Sequence, residues 1–205
     1  IVFGLAPRIN AVGRMGDATR AIKLLLSQDY QEAVQYAEIL EKENRLRREI
    51  DEETLNEAIS KVESELNLND DIAIVLYKED WHVGVIGIVA SRLVEKYYRP
   101  TILLTSVDGI AKGSARSIND FNMYDALKKC ENILLQFGGH KAAAGLSILP
   151  EKIDEFRYHF NQVAKSSLTS EQLIPTIEID AKVELTSLKP KFLRILERFA
   201  PFGPQ

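Results

Sequence analysis

The chain has 205 residues, 45% of them hydrophobic, and its 26 Lys and Arg against 30 Asp and Glu give a net charge of −4, the composition of ordinary globular protein with room for one large domain or two small ones. A single cysteine, Cys130, excludes a disulfide framework and a cysteine metal cluster within the chain, and no apolar run reaches the ~20 residues of a membrane-spanning helix. With no leader peptide visible, the cytoplasm is the expected compartment; the opening Ile1-Val2-Phe3-Gly4-Leu5 and the turn-like closing Pro201-Phe202-Gly203-Pro204-Gln205 read as stretches of a longer protein.

Residues 1–20 are a Gly- and Arg-bearing segment, with Arg8 and Arg14 set among hinge-like Pro7, Gly13 and Gly16. A short helix follows, with Ala18, Ile22, Leu25 and Leu26 apolar. Asp29 and Glu32 have the spacing of a capping box and open a long helix, along which Val34, Ala37, Leu40, Ile50, Ala58, Val62 and Leu66 recur at helical spacing. Its charge run, Glu41 to Glu53, reads as a solvated face with favourable pairs Glu41–Arg45 and Glu43–Arg47, as in a helix crossing solvent between domains.

Asn67 and Asn69-Asp70 break that helix, and a strand is expected at Ile72–Tyr77. Asp80 is placed to cap a helix over Val83–Tyr98, whose face of Val85, Ile86, Val89, Leu93 and Val94 should pack on a sheet. Gly84 and Gly87 would each cost that helix about 1 kcal/mol against alanine, which points to close approach of another backbone or a ligand. Strands are expected at Thr101–Thr105 and, after an Asp108-Gly109 turn, at Ile110–Ser117. A helix framed by Asn122 and Asp125 runs to Cys130, read as a buried structural thiol. Pro150 suits the first turn of a helix ending near Lys165. Lys165–Glu171 reads as a linker, Thr176–Leu185 as a half-buried strand, and Phe192, Leu193, Ile195 and Leu196 as one side of a short helix.

Charge is unevenly distributed. Residues 1–16, 81–94, 109–119 and 132–150 contain no Asp or Glu, yet hold ten of the eleven glycines. Glycine lets backbone approach a ligand closely, and a phosphate needs donors with no competing carboxylate nearby. Buried apolar segments would also exclude acids, and 81–94 fits that reading in part. For 109–119 and 132–150 the anion site is preferred.

Two constellations carry that preference. Gly138-Gly139-His140, with Ala144-Gly145 after it, exposes amides beside an imidazole. Ser114 and Arg116, two apart on an expected strand, project to one face, where a guanidinium fork can take an anion bidentately. Trp81 is expected in the core and His159 is read as structural. The sequence holds no credible metal-ligand spacing, nucleophile–base pair, Walker loop or dinucleotide fingerprint. Binding chemistry is present; hydrolytic chemistry is not.

Ala6-Pro7-Arg8-Ile9-Asn10-Ala11 with Gly13-Arg14-Met15, Trp81-His82-Val83-Gly84 through Ala90, Gly113–Ser117, Phe137–His140 with Ala143–Gly145, and Phe199–Pro204, taken in order, resemble the RecJ family, 5′-to-3′ single-stranded-DNA exonucleases of the DHH phosphoesterase superfamily. The resemblance implies a mixed α/β fold: a DHHA1-type sheet flanked by helices, preceded by a long connector helix and followed by the start of an oligonucleotide-binding (OB) fold. Residues 1–20 would end the DHH catalytic domain, 21–68 be the connector, 69–166 the DHHA1 domain and 167–205 the start of the OB fold. Ser114 and Arg116 match the family's ligands for a 5′-terminal phosphate, and Gly138, Gly139 and His140 its nucleotide-binding motif. Arg8 or Arg14 would add a phosphate contact. The superfamily's Asp-His-His motif is absent, so catalysis through two Mn2+ or Mg2+ ions would lie in the missing N-terminal domain, with no metal bound by this chain.

The implied role is DNA repair and recombination. The partner would be single-stranded DNA with a 5′ phosphate, and a single-strand-binding protein or helicase is the kind of protein partner that role calls for; oligomeric state stays open. Two alternatives stand beside it: a phosphoesterase of short RNA or cyclic dinucleotides, and a non-catalytic nucleic-acid-binding module.

Overall fold

A computed structural model describes residues 1, 3–177, 179–200 and 202. The first segment is a helix rather than a hinge: α1 spans Leu5–Met15. Pro7 is tolerated there because a first-turn residue has no intrahelical acceptor for its missing N–H. Helices α2 (Thr19–Leu26) and α3 (Tyr30–Glu65) follow. The Asp29 carboxylate accepts from the Glu32 amide at 2.8 Å, as the capping spacing predicts. At 36 residues, α3 is about 54 Å long.

The charged middle of α3 is not the free face expected of it. Val12 of α1 and Ala21 of α2 pack on Leu40, which brings cations of the first two helices onto the acids of the third. Arg8 pairs with Glu41 and Arg20 with Glu43, and among the described residues neither Glu41–Arg45 nor Glu43–Arg47 forms. On α2 only Ala21 is buried, and Ile22, Leu25 and Leu26 lie exposed.

Beyond α3 the chain builds one sheet. Its strands are β1 (Ile74–Tyr77), β2 (Thr101–Val107), β3 (Ile110–Arg116), β4 (Gln136–Gly139) and β5 (Ala143–Ile148), in the order β1-β2-β3-β5-β4. β1 and β2 are parallel, so their connection needs a crossover, supplied by α4 (Ile86–Tyr97). The remaining neighbours are antiparallel. Asp108 and Gly109 join β2 to β3 with φ of +53° and +76°, the left-handed pair a two-residue hairpin requires. α4 begins later than expected, after Gly84, and Asp80 does not cap it: that carboxylate pairs with Lys78 at 3.2 Å.

Alternation along the strands separates two faces. One sends Val75, Ile102, Leu104, Ala115, Leu146 and Ile148 into a core closed by α5 (Met123–Lys128) and α6 (Ile153–Ser167), where Phe160 meets Phe156 and Phe121 at ring-centroid distances of 5.5 and 6.0 Å. The other sends Ile74, Leu76 and Leu103 against Ile86, Val89 and Leu93 of α4 and Ala58 and Val62 of α3. Trp81 belongs to this second core, its indole N–H donating to Glu57 at 2.8 Å. Lys165–Glu171 is no linker, since α6 continues to Ser167 and Leu168 is buried on the first core.

Residues 175–205 form a separate unit. Its helix α7 (Pro190–Glu197) carries Phe192, Leu193, Ile195 and Leu196, all exposed. The strand expected at Thr176–Leu185 does not form among the described residues. A strand needs a partner, and the described part of this unit supplies none. Pro201, Gly203 and Pro204 of the closing motif lie outside the described residues.

Two outcomes follow from this packing. Phe160→Ala should lower the unfolding free energy by about 3–5 kcal/mol, the range for a buried phenylalanine, read from urea denaturation. Cys130 is buried and its thiol is pushed up to about 11 by desolvation, so it should resist a thiol reagent at pH 8 in the native protein and react fully in denaturant.

Candidate nucleic-acid interface

The α4 side of the sheet is covered over β1 and β2 but differs in kind over β3, β5 and β4. Register pairs Ser114 with Gly145 and Gly145 with Gly138, and directly paired residues share a face. The row Ser114–Gly145–Gly138 is therefore a hydroxyl beside two positions with no side chain. The flanking row on the same face is Lys112, Ser147 and Gln136. The result is an open trough of about 470 Å³, floored by Gly138 and Gly145 and edged by Val83, Lys112, Gln136 and Ser147.

Ser114 and Arg116 stand at one side of this trough as the strand alternation predicts. The Arg116 guanidinium donates through Nη1 to Ser114 Oγ at 3.1 Å and to the Ala115 carbonyl at 2.7 Å. No carboxylate pairs with it among the described residues. Burial lowers its pKa from the ordinary value, and the nearby charge of Arg14 adds to that. Arginine stays protonated regardless, so the shift marks an under-compensated cation.

The two helical-region glycines now have a steric reason. A Cβ on Gly87 would sit 2.8 Å from Ser114 Oγ and 2.9 Å from Arg116 Nη2, and one on Gly84 would sit 2.3 Å from the Arg14 carbonyl oxygen. The first glycine lets α4 lie against the Ser–Arg pair; the second lets the end of α1 press onto the β1–α4 loop. Arg14 then donates to the Gly84 carbonyl at 3.2 Å. By this packing the four acid-free windows meet on one side of the fold.

His140 closes the β4–β5 turn. Its amide donates to the Ala143 carbonyl at 2.8 Å, and Ala143 pairs with Arg116, so His140 and Arg116 lie at the same end of the sheet, their backbones two strand spacings or about 10 Å apart. Gly139 has φ of +150°, and a Cβ there would meet the Ala143 carbonyl at 2.4 Å; only glycine fits. The turn is held from both sides: Ser117 N–H donates to Ala142 and Met123 N–H to Lys141, each at 2.9 Å.

The chain is similar to known proteins in sequence and fold. The DHHA1 domain model matches residues 70–166, which contain the whole sheet. The single-stranded-DNA-specific exonuclease RecJ of Bacillus subtilis is 42% identical over 204 residues, taking in 98% of this chain and 26% of that protein. The RecJ of Escherichia coli is 33% identical over 208 residues, 98% of this chain and 36% of that protein. The crystal structure of Thermus thermophilus RecJ in complex with Mn2+ aligns with a TM-score of 0.83 at 32% identity, over 98% of this chain and 29% of that one. Residues 70–166 match the DHHA1 domain family, and the chain is similar to RecJ over 98% of its own length. It spans 26–36% of the length of these curated relatives.

Of the two N-terminal arginines that the RecJ resemblance left open, the fold separates them. Arg8 is tied to Glu41, while Arg14 is bonded to the Gly84 carbonyl, lies near enough to Arg116 for its charge to be felt there, and has no carboxylate partner among the described residues. Sequence reasoning missed Arg47 and passed over Arg92. Arg47 lay inside the run read as solvated, but its side chain is only 15% exposed. Both guanidiniums contact one buried carboxylate, Asp51 Oδ2, at 3.6 Å from Arg47 and 3.2 Å from Arg92. Arg92 reaches Asp51 from α4, whereas Arg47 meets it four residues along the same helix; only the acid-free setting of Arg92 was visible beforehand.

Gly87→Ala should separate binding from stability. The methyl would displace the Ser114–Arg116 pair, while alanine's helix propensity, up to about 1 kcal/mol, offsets the packing cost. We expect roughly tenfold weaker binding of a 5′-mononucleotide by calorimetry, with a melting temperature close to that of the parent.

Proposed function

We propose that this chain is the part of a single-stranded-DNA exonuclease that holds the 5′ end of the strand. The observation that carries the reading is the row Ser114–Gly145–Gly138, which sets the Arg116 guanidinium beside a side-chain-free floor. The relatives are named as single-stranded-DNA-specific exonucleases, and the residues here suit that substrate.

The terminal phosphate sits at Arg116 and Ser114. Because Arg116 Nη1 is already engaged with Ser114 Oγ and the Ala115 carbonyl, Nη2 and Nε remain to receive phosphate oxygens. Ser114 Oγ accepts from the guanidinium, which leaves its own O–H free to donate. Arg14 supplies the further positive charge. The first nucleoside lies over Gly138 and Gly145, with His140 at the end of the floor. β4 is an edge strand, so amides on its outer side are unpaired by the sheet and available to the strand. A half-buried arginine set against the close approach of Gly87 is reached more readily by a chain end than by a mid-strand phosphate.

Relatives have been crystallised with Mn2+ and with Mg2+. In this reading this chain's residues bind and orient the strand rather than cut it. Hydrolysis belongs, in this reading, to the portion of the relatives that the chain does not cover.

Arg116→Ala in the full-length protein tests the reading. Losing charge-assisted hydrogen bonds worth about 1.5–3 kcal/mol should weaken binding of 5′-phosphorylated single-stranded DNA roughly 10- to 100-fold and abolish its advantage over 5′-hydroxyl DNA, measured by fluorescence anisotropy. An unchanged preference for the phosphorylated end would remove Arg116 from the site.

A further inference from the structure

The positive charge of this region does not stop at Arg116. We infer that Arg14 and Arg47 form a second anion subsite, which takes an internal phosphate of the same strand. The two arginines line a cleft of about 320 Å³ with Pro7, Asn10, Ala11 and Ile88. This inference rests on the terminal-phosphate reading for its substrate and shares Arg14 with it, but adds Arg47, which the first site does not use.

The cleft adjoins the first site across the first turn of α4. Gly87 faces the Ser114–Arg116 pair, Ile88 lines the cleft, and Arg14 is fixed to the Gly84 carbonyl just before the helix. A strand leaving the terminal site along this turn meets Arg14 and then Arg47.

Arg47 is held for such a contact. Its Nη2 donates to Asn44 Oδ1 at 3.2 Å and its Nη1 lies 3.6 Å from Asp51 Oδ2, both on α3, so the guanidinium is oriented from beneath. Asn44 and Asp51 are themselves buried. Two guanidiniums, Arg47 and Arg92, share that one carboxylate oxygen. Arg14, which lines the cleft, adds a third cation with no carboxylate of its own among the described residues. Arg47, whose side chain is only 15% exposed, is a largely covered cation that shares its one carboxylate, which is unfavourable unless further counter-charge arrives, and a phosphate on the cleft side provides it. Desolvation is the main cause lowering the Arg47 pKa, opposed by Asp51 and reinforced by Arg48, Arg14 and Arg92, as a cation lacking full compensation requires.

The test compares thymidine 5′-monophosphate, which has one phosphate, with the 5′-phosphorylated dinucleotide pTpT, which has two. Binding is measured by calorimetry in the full-length protein with EDTA present, so that neither ligand is consumed. Arg47→Ala should leave monophosphate affinity within about twofold and weaken pTpT about tenfold, the loss expected for one charge-assisted contact. The log–log salt dependence of pTpT binding should become shallower by about 0.7. Arg47→Lys keeps the charge but loses the fork and should fall between the two; it decides the matter if the alanine variant does not fold. Equal effects on both ligands, or no effect on either, overturn the second subsite. Arg116→Ala separates the two claims: a monophosphate affinity that it leaves unchanged sinks the terminal site, whereas a selective pTpT loss in Arg47→Ala still supports the internal one.

Discussion

The register between β3, β5 and β4 is the constraint on which the site depends. Side chains on a strand alternate with a period of two, so a one-residue slip moves every side chain to the other face. Here a slip would bury Lys112, Ser114 and Arg116 in the core of α5 and α6 and carry Ala115 and Ala111 into the trough. The apolar face prevents this. Ala115, Leu146 and Ile148 are buried with Phe156 and Phe160, and that burial pins the opposite face without any ligand contributing. Core packing and binding chemistry are thus two consequences of one pairing pattern.

Close approach then fixes where the charges stand. Arg14 is on a helix far from β3 in sequence, yet its carbonyl lies where a Gly84 side chain would be, so α1 and the β1–α4 loop are in direct backbone contact. The Arg116 guanidinium is held in the same way against Gly87. Backbone packing of this sort positions cations more firmly than long flexible side chains reaching from a surface, and a preorganised site loses less entropy when its ligand binds. The net charge of −4 is no obstacle, because the acids lie elsewhere: on α3, where Glu41 and Glu43 neutralise Arg8 and Arg20, and on outer helix surfaces.

What the sequence disclosed follows a physical line between local and non-local causes. The Asp29 cap, the Asp108-Gly109 hairpin and the shared face of Ser114 and Arg116 are set within three residues of chain, and each was legible. The oddity of Gly84 and Gly87 was legible too, as a cost awaiting a reason; the reason itself, Arg14 and Ser114 with Arg116, was not. Pairings that span 33 and 23 residues, Arg8 with Glu41 and Arg20 with Glu43, displaced the local i,i+4 pairs that sequence spacing favours. Arg47 was hidden because its burial, unlike its i,i+4 contact with Asp51, depends on what packs over α3. The strand expected at 176–185, unformed among the described residues, shows the converse, since alternation states which face a strand would bury but cannot supply the neighbour it must pair with.

This non-local origin also explains why α3 carries so many charges without being a simple solvent-crossing rod. Its N-terminal half must receive α1 and α2, its middle must hold Arg47 and Arg92 through Asp51, and its end must pack Ala58 and Val62 beneath β1. A helix about 54 Å long meeting three different surfaces cannot keep one apolar stripe along its whole length. It uses apolar contacts at the two ends and ion pairs between them. The same helix that orients Arg47 therefore supports the sheet at its far end, so the spacing between Arg47 and Ser114 is set by packed backbone on both sides. A change in how α3 seats on the sheet would alter that spacing before it disturbed either site alone.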